Sequence, residues 1–268
     1  MTETTKDVRV RPMQEADVAA ADRIFRLAFG TFIGMPDPMQ FAGDTDWVGT
    51  LRRAEPSAAF VAEHNGAVVG SILAVHWGSL AFFGPLTVHP DLWNRGIAGR
   101  LLEPVMARFA AWNVTHAGLF TFAQSAKHVA LYGRFGFYPR FLTALMAKRV
   151  APRAAHAGWT IWSAVPDAHR AAALARCREV SSSVYPGLDP TSEMEAVSAH
   201  GLGDGVLVGT QGRLTGIALC HVGAGSEAES GQCYVKFAAV RPGSDAARDF
   251  DRLLDACETF AGSRGLAT

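Results

Sequence analysis

The stretch "HPDLWNRGIAGRLLEPVM", from His89 to Met106, decides how the first half of this chain is interpreted. Gly96 and Gly99 stand at the start of a segment with apolar residues at helical spacing, and Arg95 and Arg100 flank them. The first turn of a helix has N–H groups without intrahelical partners and carries partial positive charge. Glycine lets a phosphate approach the backbone closely, and arginine adds charge-assisted hydrogen bonds. The stretch therefore suits a diphosphate.

Other interpretations of this stretch stay open when it is taken alone. A dinucleotide-binding fold has GxGxxG and an acidic residue about twenty residues later. This chain has only Gly96-x-x-Gly99, with no Asp or Glu near that distance, and it lacks the GxxxxGK motif of a Walker loop. Glycine at a helix start can also mark a turn without any ligand. The segment by itself supports a binding role and a structural role equally.

Composition and charge limit the classes of partner. The chain has 268 residues, 49% of them hydrophobic, which suffices for one large domain or two ordinary ones with buried cores. Lys and Arg number 25, as do Asp and Glu, so no net field attracts nucleic acid or an anionic membrane. The four cysteines form no CxxC pair, which favours reduced thiols, no metal site and a cytoplasmic location.

The stretch from Gly66 to Val88 is apolar enough to be mistaken for a membrane span, with His76 as its one ionisable side chain. Its glycines and Pro85 stand where turns are expected, and it divides around "HWGS" into two pieces of strand length. Both pieces are rich in Val, Ile or Phe. We therefore expect a buried hairpin.

The order of predicted elements gives a mixed α/β fold. "VRVRPM" alternates like a strand, "EADVAAADRIFRLAF" has helical spacing, and a short helix covers Trp47 to Arg53. The Asn65-Gly66 pair predicts a hairpin turn, and "LAFFGPLTVHP" is a further strand. A helix from Gly96 to Trp112, a strand in "AGLFTFA", a short helix in "AKHVALYGRF" and a last strand near "FLTALMAKRV" follow. The expected class is α/β, a mixed sheet flanked by helices.

A second motif narrows the interpretation. "ALYGRFGFYPR" follows the first stretch across one helix and one strand, which is the span of a single βαβ-type unit. Together, "LTVHP", "WNRGIA" and "LYGRFGF" resemble the motifs of the GNAT family of N-acetyltransferases. In that family a strand ending in V-x-P precedes (Q/R)-x-x-G-x-(G/A) at a helix start, and L-Y-x-x-x-G-F comes later. The resemblance covers roughly residues 7 to 150.

This resemblance implies a site for acetyl-CoA. The main chain from Asn94 to Arg100 is expected to bind the coenzyme diphosphate, and the strand end from Leu86 to Val88 to pair with the pantetheine arm, where a free amide polarises the thioester carbonyl. The cofactor-binding residues implied are Leu86, Thr87, Val88, Asn94, Arg95, Gly96, Ile97, Ala98, Gly99, Arg100 and Ser125. Tyr132 stands at the family's tyrosine position and is expected to protonate the departing thiolate.

Several positions depart from the family pattern or leave a role open. Trp93 stands where the family has Gln or Arg, Ser125 replaces a common Asn, and His128 replaces a usual Ala. A general base must also take a proton from the acceptor amine. The candidates are Glu63 on the second strand and His76 at the end of the third. Glu63 equally fits a solvated strand residue, and His76 equally fits a buried core residue.

The second half of the chain repeats the first. A helix in "AVPDAHRAAALARCREV", a hairpin in "GVLVGTQGRLTGIALCHVG", a strand in "QCYVKFAAVRPG" and a helix in "SDAARDFDRLLDACETFAGS" follow in the same order. Pairs aligned at an offset of 152 include Val88 with Val240 and Leu101 with Leu253, and Gly70 aligns with Gly216 at an offset of 146. We expect a GNAT acetyltransferase domain over residues 1–150 and a degenerate or truncated GNAT-like domain over residues 151–268.

The aligned cofactor positions of this repeat carry large or acidic side chains. Arg248, Phe250 and Asp251 stand where the first half has Gly96, Ala98 and Gly99. Acidic groups repel a diphosphate, so the second copy should not bind the coenzyme in this way. The repeat also ends at "GLAT" without a counterpart of the tyrosine. Either the chain is truncated there, or this half serves as packing, as a wall of the acceptor pocket or as a dimer contact.

The resemblance thus implies an N-acetyltransferase that moves an acetyl group from acetyl-CoA directly to an amine, and the cysteine pattern favours the cytoplasm. No cysteine precedes Cys177, which argues against a covalent cysteine intermediate. The expected acceptor is a small-molecule or peptide amine, with no nucleic acid or membrane as partner and with a homodimer as one assembly. Two alternatives stay open, namely an acyl-CoA sensor without catalysis and an acyltransferase that uses a longer acyl-CoA.

Overall fold

The structure is a computed structural model that describes residues 7–151, 157–210 and 212–268. The chain divides into two compact units. The first contains Met1–Gly43, Trp47–His76 and Ala81–Met146, and the second contains Asp44–Asp46, Trp77–Leu80 and Ala147–Thr268. The predicted assignment of the catalytic domain to residues 1–150 and of a degenerate domain to residues 151–268 stays a prediction.

The first sheet has five strands in the order β1-β2-β3-β4-β5. The strands are β1 (Val8–Pro12), β2 (Ala59–His64), β3 (Ala67–Trp77), β4 (Leu80–Val88) and β5 (His116–Gly118). The helices that accompany them are α1 (Val18–Ile33), α2 (Trp47–Ala54), α3 (Ile97–Ala111) and α4 (Ala126–Gly133). Strands β1 and β2 pair antiparallel, as do β2 and β3. The predicted mixed α/β sheet flanked by helices is confirmed.

Apolar residues cover both faces of this sheet. On β2, Phe60 and Ala62 pack with α3, whereas Ala59 and Val61 pack with α1 and α2. Side chains alternate between the two faces of a strand, so both sets need an apolar cover. The sequence of a strand buried on both faces is a continuous apolar run. On β3, Ile72 and Ala74 likewise pack on one face and Leu73 and Val75 on the other, which explains why the stretch from residue 66 to residue 88 looks like a membrane span in the sequence.

The predicted hairpin between residues 66 and 88 is confirmed. The stretch forms the neighbouring strands β3 and β4. Asn65, with φ of 50°, and Gly66, with φ of 78°, form the turn that leads into it. A two-residue turn with positive φ at both positions matches the twist of the strands that it joins. Within the described ranges, none of the helices is long and apolar enough to cross a membrane.

The end of the first unit differs from the prediction. Only Ala117 and Gly118 of the expected strand in "AGLFTFA" are in a strand, as the last two residues of β5. The expected strand near "FLTALMAKRV" is absent, because residues 137–151 contain neither helix nor strand. Phe141, Leu142 and Leu145 are 81%, 89% and 89% exposed. Strand propensity reflects packing against neighbours on a pleated surface, and no neighbour among the described residues covers these side chains.

The second unit is built on a four-stranded antiparallel sheet in the order β6-β7-β8-β9. Its strands are β6 (Trp159–Ile161), β7 (Gly203–Gly209), β8 (Leu214–Val222) and β9 (Cys233–Val240). Its helices are α5 (Asp167–Val184), α6 (Thr191–Ala199) and α7 (Ala246–Ser263). Leu253 and Phe260 of α7 pack on Val206 and Cys220 of the sheet. Helix α6 was not among the predicted elements.

The two glycines that the sequence aligns have matching surroundings. A Cβ on Gly70 would lie 2.7 Å from the carbonyl oxygen of Thr87 and 3.3 Å from Leu101. A Cβ on Gly216 would lie 3.4 Å from the carbonyl oxygen of Ala239 and 3.4 Å from Leu253. Adding 152 to the neighbours of Gly70 gives the neighbours of Gly216. In each unit, a glycine on one strand lets the next strand and a helix approach closely.

Candidate active site

A cavity of about 450 Å³ opens in the first unit where β4 ends and α3 begins. Helix α1, the end of β4, the loop to α3, the first turn of α3 and helix α4 line it. The predicted site residues that line it are Leu86, Thr87, Val88, Asn94, Arg95, Gly96, Ile97, Ala98, Gly99 and Tyr132. The fold therefore brings the two sequence motifs to one cavity.

The loop that precedes α3 is fixed to the end of β4. The indole Nε1 of Trp93 donates a hydrogen bond to the carbonyl oxygen of Val88, 2.7 Å away. Asn94 and Gly96 adopt left-handed conformations, with φ of 61° and 78°. These conformations turn the chain sharply, and asparagine and glycine are the residues that adopt them at least cost. Local sequence thus determines the shape of the loop.

Six consecutive backbone N–H groups at this loop have no acceptor among the described residues. They belong to residues 94–99, and the first N–H to bond back belongs to Arg100, which donates to the carbonyl oxygen of Gly96 at 3.3 Å. A Cβ on Gly96 or Gly99 would meet no protein atom within 4 Å. Open N–H groups at a helix N-terminus, with bare backbone beside them, form a site for an anion.

The side chains that line the cavity are cationic or neutral. Arg95, Lys127 and Arg134 line it, and none of the Asp and Glu residues that the structure describes does. Within the described part of the chain, none of the three forms an ion pair, although salt bridges are frequent elsewhere in the molecule. Such a cavity attracts a ligand that carries several negative charges. The charge pattern agrees with a diphosphate as ligand.

Tyr132 lies at one side of the same cavity. Burial raises the pKa of its phenol from 10 to about 12, and a hydrogen bond with Thr121 offsets only part of this rise. The phenol therefore keeps its proton at neutral pH. A protonated hydroxyl in a ligand cavity can act as a general acid.

His128 stands one helical turn before Tyr132 and also lines the cavity. Burial, together with the neighbouring Lys127 charge, lowers the pKa of its imidazole. Its Nδ1 atom is buried without a hydrogen-bond partner, and its ring lies 5.0 Å from the ring of Phe32. The imidazole is therefore neutral at neutral pH.

Four predicted site residues lie elsewhere. Glu63 accepts a hydrogen bond from Arg11 Nε at 2.8 Å, and His76 stacks on Trp112 at 4.6 Å between ring centres. Neither lines the cavity, so the geometry does not support them as general bases there. Arg100 lies along a second depression beside β1. Ser125 is buried where α4 begins, and it does not line the cavity.

The cavity also contains residues that the sequence did not single out. These are Ala28, Phe29, Phe32, Phe122, Lys127 and Arg134, together with Leu92 and Leu131. The phenylalanines of α1 follow helical spacing, which predicts core packing just as well. Lys127 immediately follows the first residue of α4 and precedes His128. Lys127 stands on a short helix between Ala126 and His128, and no motif in the sequence marks it as a ligand-binding residue.

The second unit holds a buried ionic cluster. Lys236 donates hydrogen bonds to Glu193 and Glu227, and Trp77 Nε1 donates to Glu193 at 2.7 Å. His221 Nε2 lies 3.8 Å from a carboxylate oxygen of each glutamate. Two glutamates and a histidine can hold a metal ion. Here the Lys236 ammonium occupies the space between the two carboxylates where such a cation would bind.

The start of α7 differs from the start of α3. Helix α7 begins at Ala246, three residues before Asp249, which aligns with the first residue of α3. The aligned positions therefore lie inside a regular helix, where Arg248 pairs with Asp245 at 2.9 Å. This geometry agrees with the expectation that the second unit does not bind a diphosphate at this helix.

Comparisons with known proteins agree with these observations. Residues 22–137 match the model of the acetyltransferase (GNAT) family. The chain is similar to a proposed acetyltransferase from Pyrococcus horikoshii, with a TM-score of 0.60 and 16% identity over 95% of this chain and 78% of that chain. Similarity at this level of identity shows the fold.

Smaller structures match about half of the chain. A GNAT family acetyltransferase from Brucella melitensis, solved in complex with acetyl-CoA, has a TM-score of 0.38 and 21% identity over 49% of this chain and 83% of that chain. The ribosomal-protein-S18-alanine N-acetyltransferase from Escherichia coli has a TM-score of 0.38 and 21% identity over 48% and 76%. Among curated proteins, no sequence matches this chain.

Proposed function

Because residues 22–137 match the model of the GNAT acetyltransferase family, we propose that this chain is an N-acetyltransferase that moves an acetyl group from acetyl-CoA directly to an amine. One observation carries the proposal. Within the described part of the chain, six open N–H groups at residues 94–99 and Tyr132 line one cavity to which no carboxylate contributes. That combination offers a diphosphate site and an acid within reach of the same ligand.

The residues present fit the coenzyme. The open N–H groups bind the diphosphate, and the unpaired charge of Arg95 adds to this attraction. The end of β4, from Leu86 to Val88, lines the cavity next to this site and offers main-chain groups to the pantetheine arm. When bound, the coenzyme supplies an acyl group activated as a thioester. Everything else in the reaction depends on how the chain orients and protonates the ligands.

Tyr132 is the proposed acid. Its phenol is protonated at neutral pH, because burial raises its pKa to about 12. It can therefore donate a proton, or a hydrogen bond, to the thiolate that leaves. Direct transfer agrees with the composition of the first unit, since no cysteine precedes Cys177. Glu63 and His76 do not line the cavity, so the proposal assigns them no step.

A longer acyl group is the second candidate donor. Phe29, Phe32 and Phe122 form one apolar side of the cavity, with ring centres of Phe32 and Phe122 4.8 Å apart. An apolar wall gains free energy for each methylene that it covers. Rates measured with acetyl-CoA and with longer acyl thioesters, at equal concentration, separate the two candidates.

The acceptor and the setting are also proposals. A small-molecule or peptide amine reacts in the cytoplasm, and the four cysteines, which are all free thiols, support that location. We propose that the second unit is a degenerate tandem copy. The matching surroundings of Gly70 and Gly216 support this.

The test combines calorimetry with release of free thiol across a panel of amines. Wild-type protein should bind acetyl-CoA, and an acceptor in the panel should release thiol. Tyr132→Phe should keep acetyl-CoA affinity within a few-fold, while kcat falls by about 100- to 10,000-fold, as expected for loss of a general acid. Absence of acetyl-CoA binding to the wild type refutes the proposal. A Tyr132→Phe enzyme with unchanged kcat refutes the role of the phenol and favours a sensor or another acid.

A further inference from the structure

Lys127 carries a positive charge that no carboxylate in the described part of the chain neutralises. Its Nζ atom lies 4.7 Å from the centre of the Trp93 ring and 5.4 Å from the centre of the Phe32 ring. Aromatic faces attract an ammonium group, and this attraction orients the side chain. The contact is weaker than a charge-assisted hydrogen bond to a phosphate. The ammonium is thus positioned without having an ionic partner.

The Lys127 ammonium and the open N–H groups belong to the same cavity. Trp93, whose ring it contacts, immediately precedes the first open N–H group, that of Asn94. The hydrogen bond from Trp93 to Val88 fixes this ring to the end of β4. Lys127 and the open N–H groups both line the cavity. An anion bound to the N–H groups therefore lies in the same cavity as the ammonium.

The charges of the cavity are unbalanced without a ligand. Arg95, Lys127 and Arg134 line it, and like charges within one cavity repel each other. Each of them lacks an ion pair among the described residues. A ligand with several negative charges removes this repulsion and gains attraction to each cation. The diphosphate of a coenzyme has that charge.

We propose that Lys127 binds the diphosphate of the coenzyme through its ammonium, which Trp93 and Phe32 hold at the cavity. This inference rests on the proposed function, since it needs acetyl-CoA as the ligand. It adds Lys127, which lies outside the sequence motif at residues 93–99, to the diphosphate site. Lys127 is a binding residue in this scheme, and it takes no part in the transfer of the acyl group.

Two other roles of Lys127 give different experimental results. The ammonium could instead pair with the 3′-phosphate of the same coenzyme, in which case removal of that phosphate removes its contribution. It could also serve only to pack Trp93 and Phe32, in which case its charge has no effect on affinity and salt leaves its contribution unchanged. The test therefore compares acetyl-CoA with its 3′-dephospho form, at low and high salt.

The experiment measures affinity by calorimetry for wild type, Lys127→Met and Lys127→Arg. Methionine keeps the length and the apolar contact but removes the charge, whereas arginine keeps both charge and stacking. The control is Arg108→Gln, which removes an exposed charge from the last turn of α3, away from the cavity. Turnover is followed with the best amine of the panel.

Lys127→Met should bind acetyl-CoA about 10- to 100-fold more weakly, the range expected for one charge-assisted hydrogen bond. The same loss should appear with the 3′-dephospho form, and it should shrink at high salt. Lys127→Arg should recover affinity to within a few-fold, and Arg108→Gln should match wild type in both affinity and kcat.

Several results overturn the inference. If Lys127→Met binds acetyl-CoA within twofold of wild type, Lys127 is not part of the diphosphate site. A loss that disappears with the 3′-dephospho form assigns the ammonium to the 3′-phosphate and refutes the diphosphate. A loss that is the same at all salt concentrations, or that arginine does not restore, indicates packing alone. Failure of the wild type to bind acetyl-CoA refutes the proposed function as well, whereas wild-type binding with an unaffected Lys127→Met refutes only this inference.

Discussion

Substitution of Gly99 separates the stability of α3 from binding of the diphosphate. Gly99 is the third residue of α3, and a Cβ at this position meets no protein atom within 4 Å. Glycine in a helix is about 1 kcal/mol less favourable than alanine or leucine. Gly99→Ala and Gly99→Leu should therefore leave the protein as stable as wild type or raise the free energy of unfolding by up to about 1 kcal/mol. For most cavity residues a larger side chain costs stability instead.

Binding should change in the opposite direction. Gly99 lines the cavity, so a leucine side chain here extends into the space that the diphosphate needs. Displacing the ligand from the N–H groups of Ala98 and Gly99 removes two charge-assisted hydrogen bonds. At about 1.5–3 kcal/mol each, the loss is about 3–6 kcal/mol, or roughly 100- to 20,000-fold in affinity. Gly99→Ala, which adds one methyl group, should lose less.

The assays are urea denaturation and calorimetric titration with acetyl-CoA on the same preparations. Ala107→Leu is the matched control, because it adds the same side chain to an exposed position of α3 that does not line the cavity. This control should match wild type in both assays. The reasoning is refuted if Gly99→Leu binds acetyl-CoA within threefold of wild type. If Gly99→Leu lowers the free energy of unfolding by more than about 1 kcal/mol, a larger side chain at position 99 does meet close neighbours, and the stability argument is wrong.

Two further predictions concern stability. Burial favours a higher pKa for Glu193, but the Lys236 charge and hydrogen bonds from Lys236 and Trp77 outweigh it and lower the pKa from 4.5 to about 2. The stability that ionised Glu193 contributes is therefore present above pH 4.5 and is lost as the pH falls towards 2, and urea titrations of Glu193→Gln should show a smaller acid loss than wild type. Leu101 is 0% exposed, so Leu101→Ala should cost about 2–5 kcal/mol by urea denaturation. Leu254→Ala, at a side chain that is 43% exposed, should cost clearly less, and equal losses would contradict the core assignment.

Much of the binding loop could be predicted because its signals are local. Gly96 and Gly99 lie at a helix start, and Asn94 and Gly96 adopt the left-handed conformations that these residue types favour. The distance along the chain to Tyr132 corresponds to one helix and one strand, which returns the tyrosine to the same end of the sheet. Spacing and residue type were sufficient here, since neither depends on remote parts of the chain.

The general base could not be predicted in this way. Glu63 and His76 have suitable chemistry, but their surroundings come from distant segments. Arg11 of β1 pairs with Glu63 because those two strands are neighbours, and Trp112 at the end of α3 stacks on His76. A side chain on a strand can face either side of a sheet, and the packing of both faces determines which neighbours it has.

The absent strand near residues 141–150 has a related cause. Its sequence is apolar and has strand propensity, yet Phe141 and Leu145 are exposed. A strand forms when a neighbour pairs its backbone and covers a face, and the sequence of the segment itself contains no information about that neighbour. Helices α1, α3 and α7 were predicted well because a helix satisfies its backbone hydrogen bonds internally.

The sequence by itself determined the α/β class, the glycine-containing start of α3, the aligned repeat and the tyrosine motif. All of these depend on short-range periodicity and conformational preference. Only the tertiary structure decided that Lys127, Arg134 and the α1 phenylalanines share a cavity with that motif, and that no carboxylate of the described ranges lines it. The reason is physical, because the charge and shape of a cavity are sums over side chains from separate elements, and those elements come together only through packing of the core.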